Sequence, residues 1–171
     1  MQTKVCGYKS KIKKKIIREK LHRLPAKMYV GNKTIAFTIC IKNNRNLFES
    51  TKMFEYFEKE LILSLEKNNC TAHVYLFMPD HLHLIVEGYS EDSNIKKAIE
   101  LFKQKTGYWL TKNMSDYKWQ KDYYDHIIRD DEDMRNQIKY ILYNPVRASL
   151  VENWKDYKFK GSTIYNFEEW E

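Results

Sequence analysis

The chain has 171 residues, 43% hydrophobic and 31% charged, with a net charge of +7. That size suits one domain with a full core, and the balance excludes a disordered or low-complexity chain. No apolar run approaches the roughly 20 residues of a membrane span, and no apolar stretch of a secretory signal follows the basic N-terminus, so a cytoplasmic protein with no membrane partner is expected.

Taken in chain order, the charge comes first. Residues 1–30 hold ten Lys and Arg, among them Lys11, Lys13, Lys14, Lys15 and Arg18, against one acid, Glu19. That segment carries +9 and leaves −2 for the rest of the +7 total. Charge gathered in an arm, residues 1–28, points to a polyanion. Ile12, Ile16, Ile17, Leu21 and Leu24 also give the arm some helical amphipathicity, so anionic lipid is the rival target, with nucleic acid favoured. Pro25 closes the arm, and residues 29–171 are expected to form a single domain. Cys6, Cys40 and Cys70 are far apart with no C-x-x-C pair, which predicts reduced, buried thiols.

"TIAFTICIK" (34–42) is β-branched and aromatic, the composition of a strand. From Thr51 to Lys67 the apolar positions Met53, Phe54, Phe57, Leu61 and Leu65 recur at helical spacing behind a Ser50 or Thr51 cap. "AHVYLFM", a "PD" turn and "HLHLIVEG" read as two tightly joined strands. Asn94 to Lys112 reads as a second helix and "WQKDYYDHIIR" (119–129) as a fourth strand. A third helix follows acidic "DDED" and runs to about Tyr143, is interrupted by Pro145 and resumes in "VRASLV". The order β-α-β-β-α-β plus a helix predicts a ferredoxin-like α+β sandwich. Two helices would cover one sheet face, leaving the other to the third helix and the arm.

The stretch "MPDHLHLIV" (78–86) raises the functional question. Strand alternation puts His81 and His83 on one face and Leu82, Leu84 and Val86 on the other. Two neighbouring imidazoles suit a metal ion or a phosphate better than a core, and a metal needs at least one more ligand. On the third helix, Gln137 (i−3) and Asn144 (i+4) share the side of Tyr140, away from Ile138. An amide, a phenol and another amide in a row are common on exposed helices and carry little alone.

Together, "MPDHLHLIV" and "KYILYNPVRASLV", with "WQKDYYDHIIRDDEDM" between them, resemble the one-tyrosine HUH transposases and, within these, the REP-associated tyrosine transposases. The resemblance runs from about Tyr29 to Val151. It implies that Tyr140 is the nucleophile and that His81, His83 and Asn144 ligate Mg²⁺ or Mn²⁺. It further implies cleavage and rejoining of single-stranded DNA at hairpins through a 5′-phosphotyrosine, on a chain that can be a homodimer. The absence of a Gly-rich phosphate loop agrees with a transesterification that needs no ATP.

Tyr143 is the rival nucleophile, disfavoured because no amide lies four residues on. His126 and Gln137 are candidates to support the site, and Arg147 to contact phosphate, with a salt bridge to "DDED" an equal alternative for Arg147. Trp119, Tyr123, Tyr124, Tyr108 and Trp109 could stack unpaired bases, although core packing is the default for most aromatics here. His73 is expected to be a structural histidine. A histidine-triad nucleotide hydrolase would want a third alternating histidine, where this chain has Ile85. The remaining alternative is a non-catalytic nucleic-acid-binding protein of the same fold.

Overall fold

In the computed structural model, which describes residues 24–129 and 131–171, five strands form one antiparallel sheet. The strands are β1 (Thr34–Cys40), β2 (Cys70–Met78), β3 (His81–Gly88), β4 (Tyr124–Ile127) and β5 (Lys160–Gly161). The helices are α1 (Thr51–Lys67), α2 (Ile95–Asn113), α3 (Asp131–Leu142) and the short α4 (Asn144–Arg147). Sheet order is β4-β1-β3-β2-β5, the expected ferredoxin-like sandwich with a small extra strand on the β2 edge. The basic positions Lys11, Lys13, Lys14, Lys15 and Arg18 lie outside the described residues.

The two covering helices start where the sequence offers caps. The Ser50 hydroxyl accepts from Met53 N at 3.2 Å, and the Asn94 side chain accepts from Lys97 N at 3.0 Å, each satisfying an N–H that a helix start leaves unpaired. Phe54, Phe57, Leu61 and Leu65 of α1 and Ile95, Ala98, Ile99, Phe102 and Leu110 of α2 bury one stripe each. Those stripes meet Ile35, Phe37 and Ile39 of β1 and Leu82, Leu84 and Val86 of β3 in the larger core.

The opposite face builds the second core. Ala36, Val74, Leu76, Met78 and Ile85 meet Ile138, Ile141 and Leu142 of α3 there, so α3 packs on the sheet of its own chain. Trp154, Tyr157 and Phe167 complete this layer. Cover from residues beyond 153 corrects the expectation that only the third helix and the arm would supply it. Those aromatics show no periodicity because they sit in short turns and 3₁₀ segments. The same segment bonds the outer edge of β2: Phe77 N donates to Phe159 O at 2.8 Å, the Tyr157 hydroxyl to Phe77 O at 2.7 Å, and Thr163 N to Ala72 O at 3.0 Å.

A second correction concerns residues 119–129. Only Tyr124–Ile127 form a strand, and Trp119 makes a single isolated bridge to Ile41. Tertiary packing overrides the β propensity of this run. The Trp119 ring enters the helix-side core against Phe48, Phe57 and Phe102, and its indole N–H donates to Thr106 Oγ1 at 2.8 Å. "VRASLV" continues helically only as far as Arg147, where α4 ends.

Candidate active site

The tight connection between β2 and β3 sets the first half of the site. The Pro79 carbonyl accepts from Leu47 N (2.7 Å) and Phe48 N (3.0 Å), and the Asp80 carbonyl accepts from Ile41 N (2.9 Å), so the turn is tied on two sides. β3 begins at once with His81, and the register places His81 opposite Cys40 and Met78, and His83 opposite Thr38 and Leu76. Directly opposed residues share a face. Both imidazoles therefore lie on the side that α3 covers, 7% and 3% exposed.

Each imidazole is anchored at one nitrogen. Asp80 Oδ1 lies 2.5 Å from His81 Nδ1, and Thr38 Oγ1 lies 3.0 Å from His83 Nδ1. The two Nε2 atoms face each other at 3.0 Å, with the rings nearly perpendicular at 87°. A carboxylate accepts from Nδ1–H, which leaves the His81 Nε2 lone pair for the site. The Thr38 hydroxyl can donate or accept, so His83 can offer either an N–H or a lone pair at Nε2. The sequence assigns neither anchor. Asp80 has a local signal, standing immediately before His81; Thr38 becomes visible only through the strand register.

These residues fit a divalent cation. Nitrogens 3.0 Å apart match two ligands each about 2.1 Å from one ion at an angle of about 90°. Each ring's other nitrogen is held by an oxygen, the arrangement that fixes ligating histidines. Among the described residues no group of three or more His, Cys, Asp or Glu could hold a metal, so a third ligand drawn from these residues would be of another type. Tyr124 stands opposite Thr38 on β4, its phenol pushed above the ordinary range by burial and then by the nearby Cys40 thiol.

The other predicted site residues lie on α3, which packs on this face, and on α4 directly after it. Ile138, Ile141 and Leu142 anchor α3 on the sheet, and Tyr140 is 42% exposed beside that stripe. Pro145 stands in the first turn of α4 and separates it from α3. Asn144 is buried at 3% exposure, and its Nδ2 has no hydrogen-bond partner among the described residues. Arg147 joins the two predicted functional residues. Its Nη2 donates to Tyr140 O (2.5 Å) and to Asn144 Oδ1 (2.8 Å), and its Cζ lies 3.8 Å from the centre of the Tyr140 ring.

The other candidates separate clearly. His126 Nε2 donates to Gln137 Oε1 at 3.0 Å, a link from β4 to α3. Tyr143 turns towards Trp154, with ring centres 6.3 Å apart. His73 uses both ring nitrogens, bonding Tyr165 Oη at 3.0 Å and the Glu87 carboxylate. Trp119 belongs to the opposite core. No helix among the described residues is long and apolar enough to cross a membrane.

Comparison with known proteins bears on this arrangement. Over 95 residues the chain is 34% identical to a Haemophilus influenzae protein described as "Putative REP-associated tyrosine transposase", covering 49% of this chain and 54% of that one. It is 27% identical over 134 residues to a REP-associated tyrosine transposase of Escherichia coli, covering 77% of each. The chain thus spans about half the length of the first relative and about three-quarters of the second. The fold matches a REP-associated tyrosine transposase solved bound to a REP hairpin, with a TM-score of 0.67, 22% identity, and coverage of 77% of this chain and 78% of that one. Residues 29–144, from five residues before β1 to the buried Asn144, match the family model described as "Transposase IS200 like". This chain belongs to the IS200-like transposase family.

Proposed function

We propose that the chain is a metal-dependent single-stranded DNA strand transferase that cleaves and rejoins DNA at hairpins of the REP type through a 5′-phosphotyrosine. The observation that carries this reading is the buried imidazole pair, each ring anchored at one nitrogen and facing its neighbour with the other. Family membership and the REP hairpin bound by the matched transposase add support.

In this reading His81, His83 and the Asn144 carbonyl oxygen hold the cation. Two imidazoles suit Mn²⁺ better than Mg²⁺, which prefers all-oxygen surroundings. When bound, the ion polarises the scissile phosphate and offsets the charge that develops on it. Asp80 and Thr38 keep the rings in ligating orientation. The Tyr140 oxygen attacks phosphorus, the bond to the 3′ oxygen breaks, and the phenol proton leaves as that oxygen becomes a hydroxyl. Return of a 3′ hydroxyl to the phosphotyrosine rejoins DNA, one phosphodiester exchanged for another. The packing of α3 on its own sheet supports action in cis, and the basic arm supplies attraction for the DNA backbone.

The test is a labelled single-stranded hairpin oligonucleotide with Mn²⁺ or Mg²⁺. A covalent protein–DNA band is expected from the native chain and none from Tyr140→Phe. If Tyr140→Phe keeps the band while Tyr143→Phe loses it, the nucleophile is misassigned. Absence of any adduct with either metal leaves the non-catalytic binding protein. Mixing Tyr140→Phe with His83→Ala should restore nothing if each chain acts alone.

A further inference from the structure

Arg147 stands three residues after Asn144, close enough on one helical turn for their side chains to meet. Its guanidinium contacts three features at once: the Tyr140 carbonyl, the Tyr140 ring and the Asn144 carbonyl oxygen. A guanidinium has donors only, so the atom of the Asn144 amide that faces it must be the oxygen. The amide nitrogen then points the other way, buried and with no partner among the described residues. An unpaired buried donor is a cost, and the bond to Arg147 holds the amide in that orientation. Resting on the function proposed above, Asn144 thus has its ligating atom turned to an arginine.

We propose that Arg147 is a positioning residue that latches the site. In the resting chain it holds the Asn144 oxygen and the Tyr140 ring. When cation and DNA load, the exposed guanidinium moves onto a backbone phosphate, for which its planar fork is suited, and the Asn144 amide turns its oxygen to the ion. Release of the ring at the same moment lets the Tyr140 phenol reach the phosphate. Cation binding is thereby weak until DNA is present, which couples metal loading to substrate.

The experiment measures Mn²⁺ affinity of the full chain without DNA, by the loss of the free-ion electron paramagnetic resonance signal. Arg147→Ala and Arg147→Met are compared with the native protein, the Met variant keeping the aliphatic stem. Both are expected to bind Mn²⁺ roughly tenfold tighter, the scale of removing a hydrogen bond to a charged group. Both should nevertheless form the DNA adduct more slowly at saturating Mn²⁺. Asn144→Ala should weaken binding, and adding Arg147→Ala to it should gain nothing. Unchanged or weaker affinity in both Arg147 variants, with Asn144→Ala still weakened, overturns the latch alone. A gain that survives in the double variant overturns it as well, since simple charge repulsion would then be the cause. If Asn144→Ala binds Mn²⁺ as the native chain does, the ligand set of the proposed function falls first.

Discussion

Two groups of histidine occupy one face of the sheet, at opposite ends of β3, and they are built differently. At the far end His73 sits on a β-bulge between Ala72 and Val74, with one nitrogen on the Glu87 carboxylate and the other on the Tyr165 hydroxyl. At the near end His81 and His83 each have one nitrogen held, by Asp80 and by Thr38, and turn the other towards their neighbour. All three rings are buried, so burial does not separate structural from functional histidine. What separates them is the second nitrogen. A ring with both nitrogens on protein oxygens is a cross-link; a ring with one anchored and one facing another imidazole is a candidate ligand.

Removing a ring from the near end should have the largest effect. His83→Ala is expected to lower adduct formation by about three orders of magnitude or more while the chain stays folded, as seen by circular dichroism, because a loss of transition-state stabilisation above roughly 4 kcal/mol corresponds to that factor. Detectable metal-dependent adduct from His83→Ala would place the cation elsewhere. Removing an anchor should come next. Asp80→Ala and Thr38→Val are expected to weaken Mn²⁺ binding about 10- to 100-fold, the usual penalty for losing a ligand's oxygen partner. Anchor variants with native affinity would erase the distinction between the two ends.

The far end should answer in stability and not in chemistry. His73→Ala removes the bonds that Glu87 and Tyr165 make to this ring and is expected to cost about 1–3 kcal/mol in denaturant unfolding, with Mn²⁺ affinity unchanged. Tyr165→Phe removes one of the two bonds and should cost only about 0.5–1.5 kcal/mol. Loss of metal binding in either variant would mean that the two ends are coupled.

Local chemistry makes much of this legible. The caps Ser50 and Asn94, the apolar stripes of α1 and α2, and the alternation that puts His81 and His83 on one face all follow from neighbours a few residues apart. The structural role expected of His73 agrees with its two bonds. Other features depend on partners far along the chain. Thr38 meets His83 across 45 residues through strand register, and Trp119 leaves the run that reads as a strand because the core between α1 and α2 takes its ring. The aromatic positions from Trp154 onwards follow neither strand nor helix period, so no pattern announces that they cover the sheet. In sequence Arg147 is a contact for phosphate or for acids, and its place between Tyr140 and Asn144 emerges only when the break at Pro145 is seen in three dimensions.

The bonding of the last segment to β2 has a consequence for handling the protein. β2 is nine residues long and apolar through most of its length, and its outer row of amides is answered by Phe159, Gly161 and Thr163. Gly161 permits the close approach, since a Cβ there would collide with the Tyr75 hydroxyl. A version truncated before Tyr157 would present that row as an open template for strands of other molecules, and self-association into sheets would follow. The tail therefore serves as a guard against aggregation.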